Sequence, residues 1–332
     1  MAGLKVVGGT GLPGHTQTEE EGALAVEPER MLKKLEWTVL RRLDGQLHGD
    51  YRTLFRGFGL DLADLREYQP DDDVRYIDWN VTARLQIPHI REFQEDREIT
   101  AWFLLDLSGS VDFGSRRMKK RLLAAEFVGL MARLLTRHGN RIGAILHAGE
   151  RHLTLPPRSN RRHVLHVLHH LLRFPVPPQG HETDLAELLA IAQPTVKRRS
   201  VVFVVSDFIS QPGWGKGLAL LARRHEVVAV RLFDPLELDL PDFGLVVMQD
   251  AETGEQMLVD TADKGFRKRF AAAAAAREEA LRAALGEAGV DCLELGTDDP
   301  LDEALLHFTR LRKRRSQLAS GGLPRSVLAV AT

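Results

Sequence analysis

Along residues 100–312 short apolar runs alternate with longer stretches in which apolar positions recur every three or four residues. Runs of four to eight β-branched, aromatic or aliphatic residues read as buried strands, and the three-to-four spacing reads as one face of a helix. On this basis strands are expected at residues 100–106, 141–147, 201–205, 227–232 and 290–295. Helices are expected at residues 122–135, 161–172, 185–192, 218–224, 264–286 and 300–312. Such alternation gives an α/β fold, a doubly wound, mostly parallel sheet with helices on both faces. One segment breaks the rhythm: Val246-Val247-Met248 and Gln256-Met257-Leu258-Val259, separated by Glu252-Thr253-Gly254, read as a β-hairpin inserted late in the domain.

Ahead of this region, a helix is expected over residues 28–47. Pro28 stands at its first position, where a missing N–H costs nothing, and Leu32, Leu35, Val39, Leu40 and Leu43 share one face. Residues 1–27 are rich in Gly, Thr and Glu without periodicity and are expected to form a disordered leader. Residues 51–98 are dense in Arg and Asp with single aromatics. Here Arg66, Arg75 and Arg84 are expected to pair with Glu67, Asp72 and Asp78 around a buried Trp79, because such pairs fix geometry far more often than they perform chemistry. The chain after residue 312 is basic, then small and polar, and is expected to be a loose tail. The resulting organisation is a leader (1–27), an N-terminal segment (28–98), an α/β domain (99–312) and a tail (313–332).

Composition narrows the function classes only slightly. With 45 basic and 46 acidic residues, net charge implies neither nucleic acid nor an anionic membrane as partner. The single cysteine, Cys292, excludes an intramolecular disulfide and suits a reducing compartment. No apolar run approaches the roughly twenty residues needed to span a bilayer, so no membrane insertion is expected and the location is expected to be cytoplasmic.

Candidate chemistry concentrates where the first strand of the alternating region stops, at Asp106-Leu107-Ser108-Gly109-Ser110. One carboxylate and two hydroxyls make a hard, all-oxygen donor set suited to Mg²⁺, with Mn²⁺ and Ca²⁺ served by the same atoms. The alternative is that these residues only turn the chain and cap the following helix. Ser206-Asp207 closes a second buried strand, and Gly180-His181-Glu182-Thr183-Asp184 is a loop entering a helix. In an open α/β sheet ligands gather outside the carboxyl ends of the strands, where Asp106, Asp207 and Thr183 can meet. Asp184 with Glu187 three residues on also has the form of a capping box.

Asp106, Ser108, Ser110, Thr183 and Asp207 match, in order and context, the metal-ion-dependent adhesion site of von Willebrand factor A domains, a resemblance covering residues 100–310. A narrower resemblance precedes it. Gly57-Phe58-Gly59, Leu65-Arg66-Glu67-Tyr68-Gln69-Pro70, Asp72, Arg75, Ile77-Asp78-Trp79 and Ala83-Arg84 resemble the signature of the bacterial family called domain of unknown function 58. Asp71 stands where that family usually has Gly, and Val111 where it usually has Met; neither is a proposed ligand. The resemblance implies a von Willebrand factor A-like fold and a divalent cation at those five residues, completed by a carboxylate from a protein partner. It further implies a MoxR-type AAA+ ATPase as that partner, in assembly or maturation of other proteins.

Three other features compete for attention. His163, His166 and His170 share a helical face at zinc-ligand spacing, without a carboxylate or cysteine to complete the set. The basic run 116–121 is most simply a solvated helix start. Gly213-Trp214-Gly215-Lys216-Gly217 resembles a phosphate loop in composition only, with Gly217 where the hydroxyl belongs. Two function classes remain: a non-catalytic, metal-dependent binding module, and a metal-dependent phosphohydrolase or phosphotransferase using Asp106. The second lacks the aspartate two residues beyond the nucleophile that haloacid-dehalogenase phosphatases use, since Ser108 stands there. The expectation is a protein that is not an enzyme.

Overall fold

A computed structural model describes residues 4–9, 27–40, 65–69, 74, 77, 79, 82–83, 86–91, 99–114, 118–177 and 184–319. In chain order the elements begin with β1 (Leu4–Gly9) and α1 (Pro28–Leu35), the latter running into a π-helical turn at Glu36–Leu40. Two short paired strands follow, β2 (Leu65–Glu67) and β3 (His89–Arg91). The alternating region then contributes β4 (Thr100–Asp106), α2 (Lys120–Arg137), β5 (Arg141–Ala148), β6 (Arg151–Arg158), α3 (Arg161–Arg173) and α4 (Leu185–Thr195). It continues with β7 (Val201–Ser206), α5 (Trp214–Arg224), β8 (Glu226–Phe233), β9 (Leu245–Asp250) and β10 (Gln256–Asp260). It ends with α6 (Lys264–Ala288), β11 (Asp291–Gly296) and α7 (Leu301–Ala319).

The central sheet has six strands in the order β11-β8-β7-β4-β5-β6, parallel throughout except for β6, which runs antiparallel to β5. Its middle strands are buried on both sides, which is why they read as continuous apolar runs. Alternate side chains still segregate. Ala101, Phe103 and Leu105 of β4 join Val201, Phe203 and Val205 of β7 in a core shared with α1, α2, α3 and α7. Trp102, Leu104, Val202 and Val204 face the opposite core, with α4, α5 and Leu285 of α6. Phe103 stacks on Phe203 at 5.2 Å between ring centres, and Phe127 of α2 meets both edge-on, fixing that helix over the sheet centre. The expected doubly wound α/β fold with helices on both faces is therefore present.

The expected hairpin is β9 and β10, paired antiparallel, and a separate cluster of Leu240, Val246, Met248 and Val259 packs with Phe266 and Phe270 beneath it.

Several expectations are corrected. Leu4–Gly9, placed in a disordered leader, forms a strand on the free side of β9, so backbone pairing orders a segment whose side chains carry no periodicity. Strand β6 was not anticipated: it is a sheet edge with Pro156 and Pro157 and mostly exposed side chains, a pattern that edges tolerate and that hides the period of two. Helix α7 runs seven residues beyond Arg312 to Ala319, into the expected tail, and the remainder of the tail lies outside the described residues. The first helix is described only to Leu40. Trp79 is 70% exposed and anchors no core. Of its proposed scaffold, Arg75, Arg84, Asp72 and Asp78 lie outside the described residues.

Candidate metal centre

Strand β4 ends on Asp106, and its neighbour β7 ends on Ser206 with Asp207 next along the chain. From β4 the chain winds outward through β5 on one side and resumes at β7 on the other, so these two ends flank the point where the winding reverses. Loops there diverge from the sheet and leave a crevice at the carboxyl edge, the usual ligand position in open α/β folds.

Short-range bonds shape both turns. Asp106 accepts from the Ser108 backbone N–H (3.1 Å) through Oδ1 and from the Ser206 hydroxyl (2.6 Å) through Oδ2. Ser206 Oγ in turn accepts from the Phe208 N–H (2.9 Å), and Asp207 Oδ1 from the Ile209 N–H (3.0 Å). Phe208 holds a left-handed backbone, φ 57°, uncommon for an aromatic residue, while its ring is buried 5.4 Å from that of Trp214. Ser108 precedes a 3₁₀ turn at Gly109–Asp112, and its hydroxyl lies 3.1 Å from that of Ser110. Gly109 is required there, because a Cβ would fall 2.5 Å from the Ala251 carbonyl oxygen in the β9–β10 turn.

Asp106, Ser108, Ser110 and Asp207 are thus brought together and buried, at no more than 3% exposure. The fifth expected ligand, Thr183, lies outside the described residues, one position before Asp184. Asp184 does cap α4, accepting from the Ala186 and Glu187 N–H groups. Glu187 turns instead toward His147, its carboxylate 3.5 Å from Nε2.

Two charged partners were missed. Lys120, the first residue of α2, is fully buried, and its ammonium donates to Asp207 Oδ2 and to Glu237 Oε1, each at 2.7 Å. Glu237 belongs to a 3₁₀ turn at Pro235–Glu237, where its other oxygen accepts from the Asp234 N–H (3.0 Å). The expectation that the basic run 116–121 is solvated therefore fails at Lys120 and at Arg121, which is 8% exposed; Arg116 and Arg117 lie outside the described residues. The overlooked signal was position. A lysine opening a helix whose next turns are apolar on nearly every side has no solvated face to occupy.

Charge decides what the cluster can hold. Among the described residues, three buried carboxylates, Asp106, Asp207 and Glu237, share one ammonium, which bonds the latter two, an excess of two negative charges that the Arg277 guanidinium meets only at the Glu237 backbone carbonyl. Burial, then the Asp207 charge, pushes the Asp106 carboxyl up to about 6. Burial, with Asp207 again adding, also raises Glu237 against the pull of Lys120. Burial opposes the Lys120 charge, yet Asp207 and Glu237 outweigh it and hold its pKa above the ordinary value. Paired hydroxyls beside an excess of two negative charges fit a small divalent cation. The carboxylate of Asp207 is a shared donor, since Lys120 already holds one of its oxygens.

Beside this cluster runs a groove of about 860 Å³, bounded by Asp207 and Glu237, the loop leading into α5, and α6. Trp214, Lys216, Leu281 and Arg277 line it.

The three histidines at zinc-ligand spacing do lie along one another, His163 to His166 at 6.3 Å and His166 to His170 at 4.5 Å between ring centres, but among the described residues no further ligand joins them. His163 is buried and its Nε2 donates to the Ile142 carbonyl (3.0 Å), and among the described residues no group of three or more His, Cys, Asp or Glu is placed to hold a metal. The Gly213–Gly217 segment opens α5 from Gly213, at φ 117°. Among the described residues no helix is long and apolar enough to cross a membrane.

Comparison with known proteins places these observations in a family. An uncharacterized protein of Mycobacterium tuberculosis, Rv1480, is 38% identical over 285 residues, covering 85% of this chain and 89% of that protein. The uncharacterized protein MAV169 of Mycobacterium avium is 34% identical over 160 residues, which is 48% of this chain and 94% of that protein. Among solved structures, the conserved hypothetical protein BatB from Bacteroides thetaiotaomicron aligns with TM-score 0.41 at 14% identity, over 66% of this chain and 99% of that one. The SpRpn10 VWA domain aligns with TM-score 0.36 at 11% identity, over 63% of this chain and 94% of that one. A family model described as "Protein of unknown function DUF58" matches residues 64–280, and the chain belongs to that family.

Proposed function

We propose that the protein is a non-catalytic binding module in which a divalent cation, Mg²⁺ foremost, is held by Asp106, Ser108, Ser110 and Asp207 together with Thr183. The observation that carries this reading is the buried excess of two negative charges beside paired serine hydroxyls at the winding reversal of the sheet. When bound, the cation supplies a charge-assisted docking point for a carboxylate from a protein partner. The chain's own residues do the rest. Ser206 and the Ser108 N–H orient Asp106, Lys120 and the Ile209 N–H orient Asp207, and the groove beyond Asp207 offers the approach for the partner. A MoxR-type AAA+ ATPase in the cytoplasm is the partner that the family resemblance favours.

The competing phosphohydrolase reading needs an acid or base beside the Asp106 nucleophile, and Ser108, which stands two residues on, is neither.

Thermal melting tests the proposal. Cation at about a hundred times its dissociation constant stabilises a folded binder by about 2.7 kcal/mol, so Mg²⁺ or Mn²⁺ should raise the melting temperature above that in chelator, and Asp106→Ala should erase the difference. A purified MoxR-type ATPase should be retained by the protein with cation and released by chelator. An unchanged melt for wild type, or phosphate-ester hydrolysis that Asp106→Ala abolishes, would sink the reading.

A further inference from the structure

Residues 151–180 contain no Asp or Glu, yet they carry Arg151, Arg158, Arg161, Arg162 and Arg173 and five histidines. The fold concentrates that charge. Helix α3 buries Val164, Val167, Leu168 and Leu171 and turns Arg162, His166, His169 and Arg173 outward at spacings of four, three and four, a single stripe on the solvent side. Eleven helical rises from Arg162 to Arg173 make the stripe roughly 16 Å long. Strand β6, the edge of the sheet, leads into this helix within three residues and leaves Arg151 and Arg158 exposed. Arg158 is close enough to add to the lowering of the His163 pKa, which burial dominates and His166 also assists.

Of the five arginines only Arg161 meets carboxylates among the described residues, those of Glu29 and Glu36. Arginine on an edge strand also has a protective role, since charge and proline deter edge-to-edge pairing. That accounts for β6 and its two prolines, but not for a stripe along a helix three turns long.

We propose that the face formed by α3 and the edge of β6 is a second, metal-independent docking surface for a compact acidic segment of a protein partner. Planar guanidinium forks pair with carboxylates in two parallel hydrogen bonds, and the interleaved imidazoles add N–H donors. Single-stranded nucleic acid fits less well, because Phe174, the one Phe, Tyr or Trp in 151–180, is buried, leaving only imidazoles for bases to stack on. An anionic membrane fits less well, because Val176 is the one large apolar side chain of this face that is exposed, too little to insert.

A fluorescently labelled short all-glutamate peptide tests this by anisotropy, in chelator, so that metal-bridged capture is switched off and the outcome is independent of the preceding proposal. The peptide should bind wild type saturably. Raising salt from about 25 mM to about 150 mM should weaken binding by screening. Arg162→Glu with Arg173→Glu should weaken it by at least about tenfold, the scale expected for reversing two charges at a complementary face. Arg162→Gln with Arg173→Gln, isosteric enough to protect the fold, should move the same way by less. Arg223→Glu with Arg224→Glu, exposed on α5, should leave it unchanged. Absence of saturable binding, equal binding by the Arg162/Arg173 variants, or tighter retention of duplex DNA or phosphatidylserine vesicles than of the peptide would each overturn the proposal.

Discussion

Replacing Lys120 by Met keeps the length of the side chain and removes its charge. In the wild type the ammonium is fully buried and makes two bonds of 2.7 Å, to Asp207 and to Glu237. Without it, Asp207 Oδ2 and Glu237 Oε1 lose their donor, and among the described residues no other side-chain cation bonds either carboxylate. Breaking a buried pair by deleting one partner costs about 3 to 5 kcal/mol, because the remaining charge stays desolvated and unpaired. Here two carboxylates are orphaned, and protonation offsets part of the penalty, since burial already raises Glu237. A loss of about 3 to 5 kcal/mol is therefore expected in chelator at neutral pH, read as a lower urea midpoint with unchanged slope. Adding Glu237→Gln to Lys120→Met should recover part of that loss, a coupling that a double-mutant cycle isolates. Lys120→Met at wild-type stability, within about 0.5 kcal/mol as for an ordinary surface change, would refute the buried ion triad.

Two further outcomes follow from the same pocket. In chelator, a carboxyl raised from the ordinary 3.8 to about 6 means the folded state holds the Asp106 proton more tightly than the unfolded chain does. Its stabilising contribution is complete below pH 4 and fades as pH rises through 6, by about 3 kcal/mol. Asp106→Asn should flatten that part of the stability profile against pH, and a wild-type profile equally flat would contradict the buried, charge-crowded environment. Gly109→Ala forces a methyl against the backbone of Ala251, so the metal turn or the β9–β10 turn must shift. A destabilisation of about 1 to 3 kcal/mol, of the kind overpacking produces, should appear in urea unfolding, and a neutral substitution would show that the two turns do not touch.

Much of the fold was legible because burial on both sides writes itself into the sequence. Val201–Ser206 and Thr100–Asp106 had to be strands, as their apolar runs are too short for helices and rich in the residues that pack on a pleated surface. The oxygen-rich turns at their ends were equally plain, and Asp106, Ser108, Ser110 and Asp207 do converge. What the sequence did not disclose were features whose cause is remote along the chain. Leu4–Gly9 is a strand because β9, some 240 residues later, offers it a free edge, and backbone pairing leaves no mark on side-chain pattern. Lys120 reads locally as one of a basic run, and only the arrival of Asp207 and Glu237, 87 and 117 residues away, turns it into a buried counter-ion. Trp79 reads as an anchor and is exposed. The sequence by itself determined the buried strands, the amphipathic helices and the donors at strand ends, because those depend on local period and composition, while the edge strands β1 and β6 depended on pairing. Charge balance in the pocket was decided only by the tertiary structure, since desolvation and Coulomb interactions depend on distances through space.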